Sequence, residues 1–470
     1  LLARRGAVRR EGGAGRGGGW RLIARTLRFL DPSPSLSVRV AVCGYGVRLR
    51  ALKRTRGCGD VGFEVGHREA DRVDYDPFDD EMKDDPFPVY ARLREESPVH
   101  YLERFECWAL SRFEDIWNAG QQPDLYPSPG PAIGTIISRP DDEETSGFES
   151  LFGLNPPLHT QLRKALARLY SPRGVSRLEA HVRRRSIECI EAGREDGRLD
   201  VVEELGLCVS SDVASLLIGL PLEDSERLTQ IVRRFFTRTP GVEGMPPDAL
   251  QASEQLHDYL LEAVRERRKR GTPGDGSDAM DVLLSFVGED GGFGDERVAN
   301  HLQILVVGGT ETLPKVFAGG VIQLHRHPDQ RARLVAEPSL IPTAFTEIAR
   351  YEMPTQFLSR GIARDHELRG QRLREGQGVL FLYRAANRDE AEFPDADCFD
   401  ISRNPQRILS FGHGTHVCLG QHAARLEARV MYEELLAAAP VYGLEESEVV
   451  PERSEFVAGY VSVPIHFEGL

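Results

Sequence analysis

The ten residues Phe411-Gly-His-Gly-Thr-His-Val-Cys-Leu-Gly420 constrain this chain more than any other stretch. Cys418 stands among three glycines, just before a repeat in which Ala423, Leu426 and Val430 recur at helical spacing. A cysteine that leads into a helix meets backbone N–H groups without intrahelical partners, and the helix dipole adds positive potential there. Both favour a thiolate over a thiol. Gly414 allows the sharp turn that such a loop needs. The plainer reading is a buried free cysteine in a glycine-rich loop. The other six cysteines are Cys43, Cys58, Cys107, Cys189, Cys208 and Cys398. They are scattered, and without a Cys-x-x-Cys pair zinc sites of the usual kind are excluded.

Three further stretches stand out. Gly308-Gly-Thr-Glu311-Thr312 falls inside a helix expected from Asp295, as N-cap, to about Leu324. Two consecutive glycines there cost about 1 kcal/mol each relative to alanine. Pro314 cannot donate to the Thr310 carbonyl, so the helix should open locally. A bent core helix with small residues for packing is the alternative. Glu347-Ile-Ala-Arg350 puts an acid and a base on one face of a helix begun by Ser339 and Pro342. Glu191/Arg194, Glu195/Arg198 and Glu262/Arg265 share that spacing, so order and context select Glu347. Asn155-Pro-Pro-Leu-His159-Thr-Gln-Leu-Arg163 places His159 and Arg163 one turn apart; His181/Arg185 has the same spacing without the prolines.

Taken in their order along the chain, the four stretches resemble the cytochrome P450 family, soluble bacterial type, over about residues 74 to 466. Phe411, Gly414, His416, Cys418 and Gly420 match the five marked positions of that family's cysteine-ligand loop. The resemblance implies a mainly α fold with small β-sheets, a triangular helical prism around one b-type haem. It implies Cys418 as iron ligand, since a thiolate pushes electron density onto haem iron and favours O–O cleavage. Phe411 would cover the sulfur, and Gly420 would let the following helix approach the porphyrin. His159, Arg163, Arg360 and His416 would hold the haem propionates. Arg360 could equally be a solvated residue at a strand end. Glu311 and Thr312 would relay protons, and Glu347 and Arg350 would brace the loop. The family often adds an arginine to that brace where this chain has Cys398, so the third arm is open and Cys398 is expected in the core. Asn155 stands where an acidic residue is more usual.

The implied activity is a monooxygenase that inserts one oxygen atom of O2 into a C–H bond of a small apolar molecule. Electrons would come ultimately from NAD(P)H through a ferredoxin- or flavodoxin-type donor and its reductase. A basic face of Arg163, Lys164, Arg168, Arg173 and Arg407 would receive the donor. The pocket should draw on the loop around Pro129–Ile137, on Leu217–Phe236, on the helix before Gly308 and on Thr355–Leu358. A peroxide-dependent haem-thiolate enzyme and a non-catalytic haem-binding sensor are the rival readings. The acid–alcohol pair Glu311-Thr312 argues against the first, and an idle relay argues against the second.

Composition supports these expectations. Residues 1–72 carry 16 Lys/Arg against 6 Asp/Glu, although the whole chain has net charge −14, so the remainder is strongly acidic. General nucleic-acid binding is therefore not expected. No run approaches the roughly 18 apolar residues of a membrane helix, so no membrane anchor is expected. Few and scattered cysteines suit a reducing cytoplasm. Residues 1–72, basic and rich in glycine and arginine, read as a disordered extension or an over-extended start, with a transit peptide as the alternative. Residues 73–470 then form one haem domain. Within it a helix should begin near Asp85-Pro86 and run through Arg94. Val99 to Leu110 reads as a hairpin, and Arg372 to Tyr383 as a second β segment.

Overall fold

A computed structural model describes residues 73–128, 149–239, 242–289 and 291–467, with two short strands at Val38–Arg39 and Arg50–Ala51. The chain divides into two units, Leu1–Asp71 and Arg72–Leu470. Apart from the antiparallel pairing of those two strands, the expectation for residues 1–72 lies outside the described residues.

The second unit is mainly helical with small sheets, as its patterning requires. The helices that build or brace the site are α1 (Phe87–Glu96), α2 (Phe113–Gly120), α3 (Leu158–Leu166), α4 (Glu179–Asp196), α5 (Leu207–Ile218) and α6 (Ser225–Phe236). They continue with α7 (Pro247–Arg270), α8 (Asp295–Thr310), α9 (Thr312–Arg326), α10 (Ile341–Tyr351) and α11 (Gln421–Ala438).

The helix expected over 295–324 is two helices. α8 and α9 meet at Glu311 (φ −101°, ψ −35°), which belongs to neither helix. The break falls where Gly308, Gly309 and Pro314 weaken the ladder. Asp295 is the first helical residue rather than the cap: Gly294 holds that place, and the Asp295 carboxylate accepts from Arg268 Nε at 2.6 Å. α9 is buried on every side, with Leu313, Phe317, Val321 and Leu324 all in the core. An element buried all round must be apolar all round, and this one nearly is.

The hairpin forms as expected. Val99–Leu102 and Cys107–Leu110 pair antiparallel, with Glu106 at φ 51° in the turn. Gly378–Phe381 adds parallel to Cys107–Leu110, and Leu358–Gly361 closes the sheet antiparallel, with Arg360 opposite Val379. That pairing fixes Arg360 in a rigid strand. It is 6% exposed, which removes the reading as a solvated strand-end arginine.

Candidate active site

One cavity of about 330 Å³ gathers most of the singled-out residues. Cys418, Phe411, His416, Gly420, His159, Arg163, Arg360 and Thr312 all line it. The rest of the wall is apolar, including Val213, Leu217, Phe236, Leu305, Leu358 and Phe456. Leu217, Phe236, Leu305 and Leu358 come from segments the sequence pointed to. The loop around 129–137 lies outside the described residues. The sequence reading missed Leu151, Phe152, Met353 and Phe456.

The cysteine loop is built by close backbone approach. Gly414 sits at φ 73°, and a Cβ there would fall 1.8 Å from Gly120 O at the end of α2. Only glycine meets both demands. The His413 ring stacks on Trp117 of α2 at 3.4 Å between centroids, which pins the loop from outside. Cys418 N donates to Phe411 O at 2.7 Å, closing the turn. The thiol is enclosed by the fold yet has open surface, because it faces the cavity. Burial pushes it above its ordinary value. The N–H groups of Gly420 and Gln421 and the cations of Arg163 and Arg425 act the other way. Phe411 lies beside the sulfur loop with the Arg425 guanidinium 4.2 Å over its ring. Gly420 takes an ordinary φ, but a Cβ on it would meet no protein atom within 4 Å, so here it is space rather than strain that favours glycine.

Two arginines and two histidines cluster at one part of the wall. The His159 and His416 rings lie 4.1 Å apart. Burial, then neighbouring cations, lowers His159 to about 4; burial, with Arg360, lowers His416 to about 2. His159 Nδ1 and His416 Nε2 are buried with no hydrogen-bond partner among the described residues. Arg163 donates to Val417 O at 2.6 Å and Arg360 to Ser359 O at 2.7 Å. The ionisable groups acting on them are Cys418 for Arg163 and Tyr383 for Arg360, with no carboxylate among the described residues. Buried cations and orphaned donors facing one cavity are the donor set for an anionic ligand. Upstream, the Asn155 amide accepts from Ser128 N at 2.9 Å and donates to Ser128 O at 3.0 Å, a backbone tie that a carboxylate could not make in full.

The brace is fully buried. Arg350 gives Glu347 two bonds of 2.7 Å and reaches Asn387 O at 2.8 Å and Ala396 O at 2.9 Å. Its third arm is Arg403, with Nε 3.1 Å from Glu347 Oε1. Cys398 is exposed rather than in the core, and its carbonyl accepts from Arg403 at 3.0 Å. Asn387 links this brace to the loop by accepting from Leu409 N and donating to Ser410 Oγ.

Thr312 lines the cavity and its hydroxyl is 3.4 Å from Gly308 O. Glu311 is buried beside it but turns onto Lys315 Nζ at 2.8 Å instead of joining the wall. The expected basic face is reduced. Arg163 points inward, and Arg407 is neutralised by Glu392 and Glu114, which leaves Lys164, Arg168 and Arg173 exposed. Glu427 was missed altogether. It lines the cavity from α11, bonds Ser210 Oγ at 2.8 Å, and burial raises it to about 8. A charged residue on the stripe of Ala423, Leu426 and Val430 was its signal in the sequence.

Among the described residues no helix is long and apolar enough to cross a membrane, and no three His, Cys, Asp or Glu side chains are grouped to hold a metal ion. A lone thiolate can serve a metal only if other ligands come from elsewhere. The family model for cytochrome P450 matches residues 227–453. Cytochrome P450 130 of Mycobacterium tuberculosis is 33% identical over 81% of this chain and 94% of its own length. The methyl-branched lipid omega-hydroxylase of the same organism is 30% identical over 89% of this chain and 99% of its own length. The crystal structure of CYP109E1 from Bacillus megaterium in complex with testosterone superposes with a TM-score of 0.73 at 26% identity, covering 83% of this chain and 100% of that one. With a third of its residues identical over nearly the whole length of such a relative, the chain is a member of the cytochrome P450 family, a haem-thiolate monooxygenase that works with a redox partner on an apolar small molecule.

Proposed function

We propose that the Cys418 thiolate would hold the iron of a b-type haem. The observation that carries this is the thiol's position: open to an apolar cavity, with the N–H groups of Gly420 and Gln421 directed at the sulfur. His159, Arg163, Arg360 and His416 fit the haem propionates, which would supply the buried donors with partners. The bare face of Gly420 leaves room for a flat ring. When bound, the haem supplies the activation of O2. The protein aims the N–H groups of Gly420 and Gln421 at the sulfur, excludes water with the apolar wall, and delivers protons through Glu311 and Thr312.

Electrons come ultimately from NAD(P)H through a ferredoxin- or flavodoxin-type donor with its reductase. Lys164, Arg168 and Arg173 are exposed, Arg168 while donating to Asp275 O at 2.7 Å, and would attract an acidic partner, so turnover should fall with salt. The substrate is apolar, because among the described residues the wall beyond the propionate cluster is mostly apolar and carries no lysine or arginine. The lipid and steroid named for the relatives share that character. The cytoplasm suits the free thiols of Cys107, Cys189, Cys208, Cys398 and Cys418. Residues 73–470 form the haem domain, and a chain starting at Val73 should still incorporate haem.

The test is the spectrum of the reduced, CO-bound protein. The wild type should give the Soret band of a haem thiolate and Cys418→Ala should lose it. A normal thiolate band in Cys418→Ala would refute the ligand assignment.

A further inference from the structure

Glu311 is one end of a buried run of three charges that the site itself does not explain. Lys315 stands between two carboxylates, with Nζ 2.8 Å from Glu311 Oε1 and 3.0 Å from Glu452 Oε2. Its side chain is 3% exposed, and so is closed to water. Tyr460 O lies 3.5 Å from the same nitrogen. Glu311 Oε2 is buried with no hydrogen-bond partner among the described residues. Glu452 is the outer member: its side chain is 14% exposed, and its backbone N–H bonds Gly459 O in the hairpin that pairs Val450–Pro451 with Tyr460–Ser462.

The arrangement is more than a counter-ion needs. One lysine neutralises one buried carboxylate. Here two carboxylates share it, so the run is negative when all three groups are ionised and has room for one more proton. Burial raises the proton affinity of Glu311, Lys315 opposes this, and Glu452 adds to it. Arg233 of α6 also faces Glu311, with its own bond to Glu203 at 2.6 Å. The run starts at the hairpin surface and ends at the residue beside Thr312, where α8 and α9 part.

We infer that Glu452, Lys315 and Glu311 form the conduit by which protons reach the cavity. The Lys315 ammonium gives a proton to the Glu311 carboxylate, breaking N–H and forming O–H. A solvent hydronium ion protonates Glu452 and leaves as water, Glu452 passes that proton to the amine, and Glu311 releases its own proton to an acceptor in the cavity, so all three groups return to their starting charge. No electron moves in these steps. Lys315 and Glu452 act through Glu311, as positioning residues. The inference rests on the reading of Glu311 as the proton source for the cavity.

The experiment uses the full haem-loaded chain, a substrate identified by its spectral shift, and a surrogate electron donor. O2 consumption and its solvent isotope effect are compared for Glu311→Gln, Glu452→Gln, Lys315→Met and Lys315→Arg. Arginine keeps the charge but does not release its proton. A counter-ion role is therefore satisfied by Lys315→Arg and a conduit is not. All four variants should slow by about a hundredfold or more, the usual range for lost acid–base help, with haem content and substrate binding retained and a larger isotope effect. A resting Lys315→Met sample should also show an added protonated-carboxyl infrared band, shifted in D2O and absent from Lys315→Met/Glu311→Gln. Absence of that band would show that Lys315 does not control Glu311 and would overturn the conduit. Wild-type rates in Glu452→Gln and Lys315→Arg, with Glu311→Gln slow, would overturn the conduit alone. A wild-type rate in Glu311→Gln would instead overturn the role given to Glu311.

Discussion

Arg403 Nε lies 3.1 Å from Glu347 Oε1, on a carboxylate that Arg350 already holds with two bonds of 2.7 Å. The second arginine also donates to Asp395 O and Cys398 O, so it ties the carboxylate to the turn before the cysteine loop. Removing one partner of a buried pair typically costs about 3–5 kcal/mol. Glu347→Ala leaves Arg350 unpaired and should cost that much, with loss of haem on purification. Arg403→Ala leaves Glu347 paired and should cost about 1–3 kcal/mol, the loss of a charged hydrogen bond. Thermal unfolding and haem-to-protein ratio check both; an Arg403→Ala protein less stable than Glu347→Ala would contradict the order.

Arg238 and Glu455 form a second buried pair, with Nε 2.8 Å from Oε1 and side chains 7% and 2% exposed. They flank Phe236 and Phe456, two residues of the cavity wall that come from distant parts of the chain. Arg238→Ala should loosen this seam, and the substrate-induced spectral shift should develop and decay faster in stopped flow. Unchanged rates of both would show that the pair does not control access.

Glu427 gives a pH signature. Burial raises it to about 8 in the folded protein. Between the ordinary carboxyl value and about 8 the folded chain keeps a proton that the unfolded chain has lost. Stability contributed by this group therefore falls as pH rises through that window, by at most about 1.4 kcal/mol per pH unit. Glu427→Gln keeps a partner for Ser210 and should flatten the slope of unfolding free energy between pH 5 and pH 8 (about the two limits of the window). An equal slope in wild type and variant would place the titration elsewhere.

Thr312→Ala should still bind haem and substrate but waste electrons, because the hydroxyl at the cavity wall no longer holds a proton in place. The ratio of hydrogen peroxide formed to NADH consumed should rise. General acid–base help is worth about 10²–10⁴-fold, and relay waters can make the loss smaller. An unchanged ratio with intact product yield would reduce Thr312 to a helix residue beside the cavity.

The chain's local chemistry determined much of this by itself. The glycines at 308, 309 and 414 and Pro314 dictate where the backbone must bend or break, because propensity and a missing N–H act within a turn. The cysteine loop is likewise contiguous, so Cys418, Phe411 and His416 could be named from ten residues. What only the tertiary structure decided is pairing across long stretches of chain. Arg403 and Cys398 sit five residues apart, and nothing local says which one reaches Glu347. Glu311 reads as a residue of the cavity, but Lys315 draws its carboxylate away from the wall. Arg163 turns inward while Lys164 stays outside, although both read as surface charge. Long charged side chains have many rotamers and many possible partners of opposite sign. Burial, which sets the cost of leaving one unpaired, is fixed only once the helices have packed.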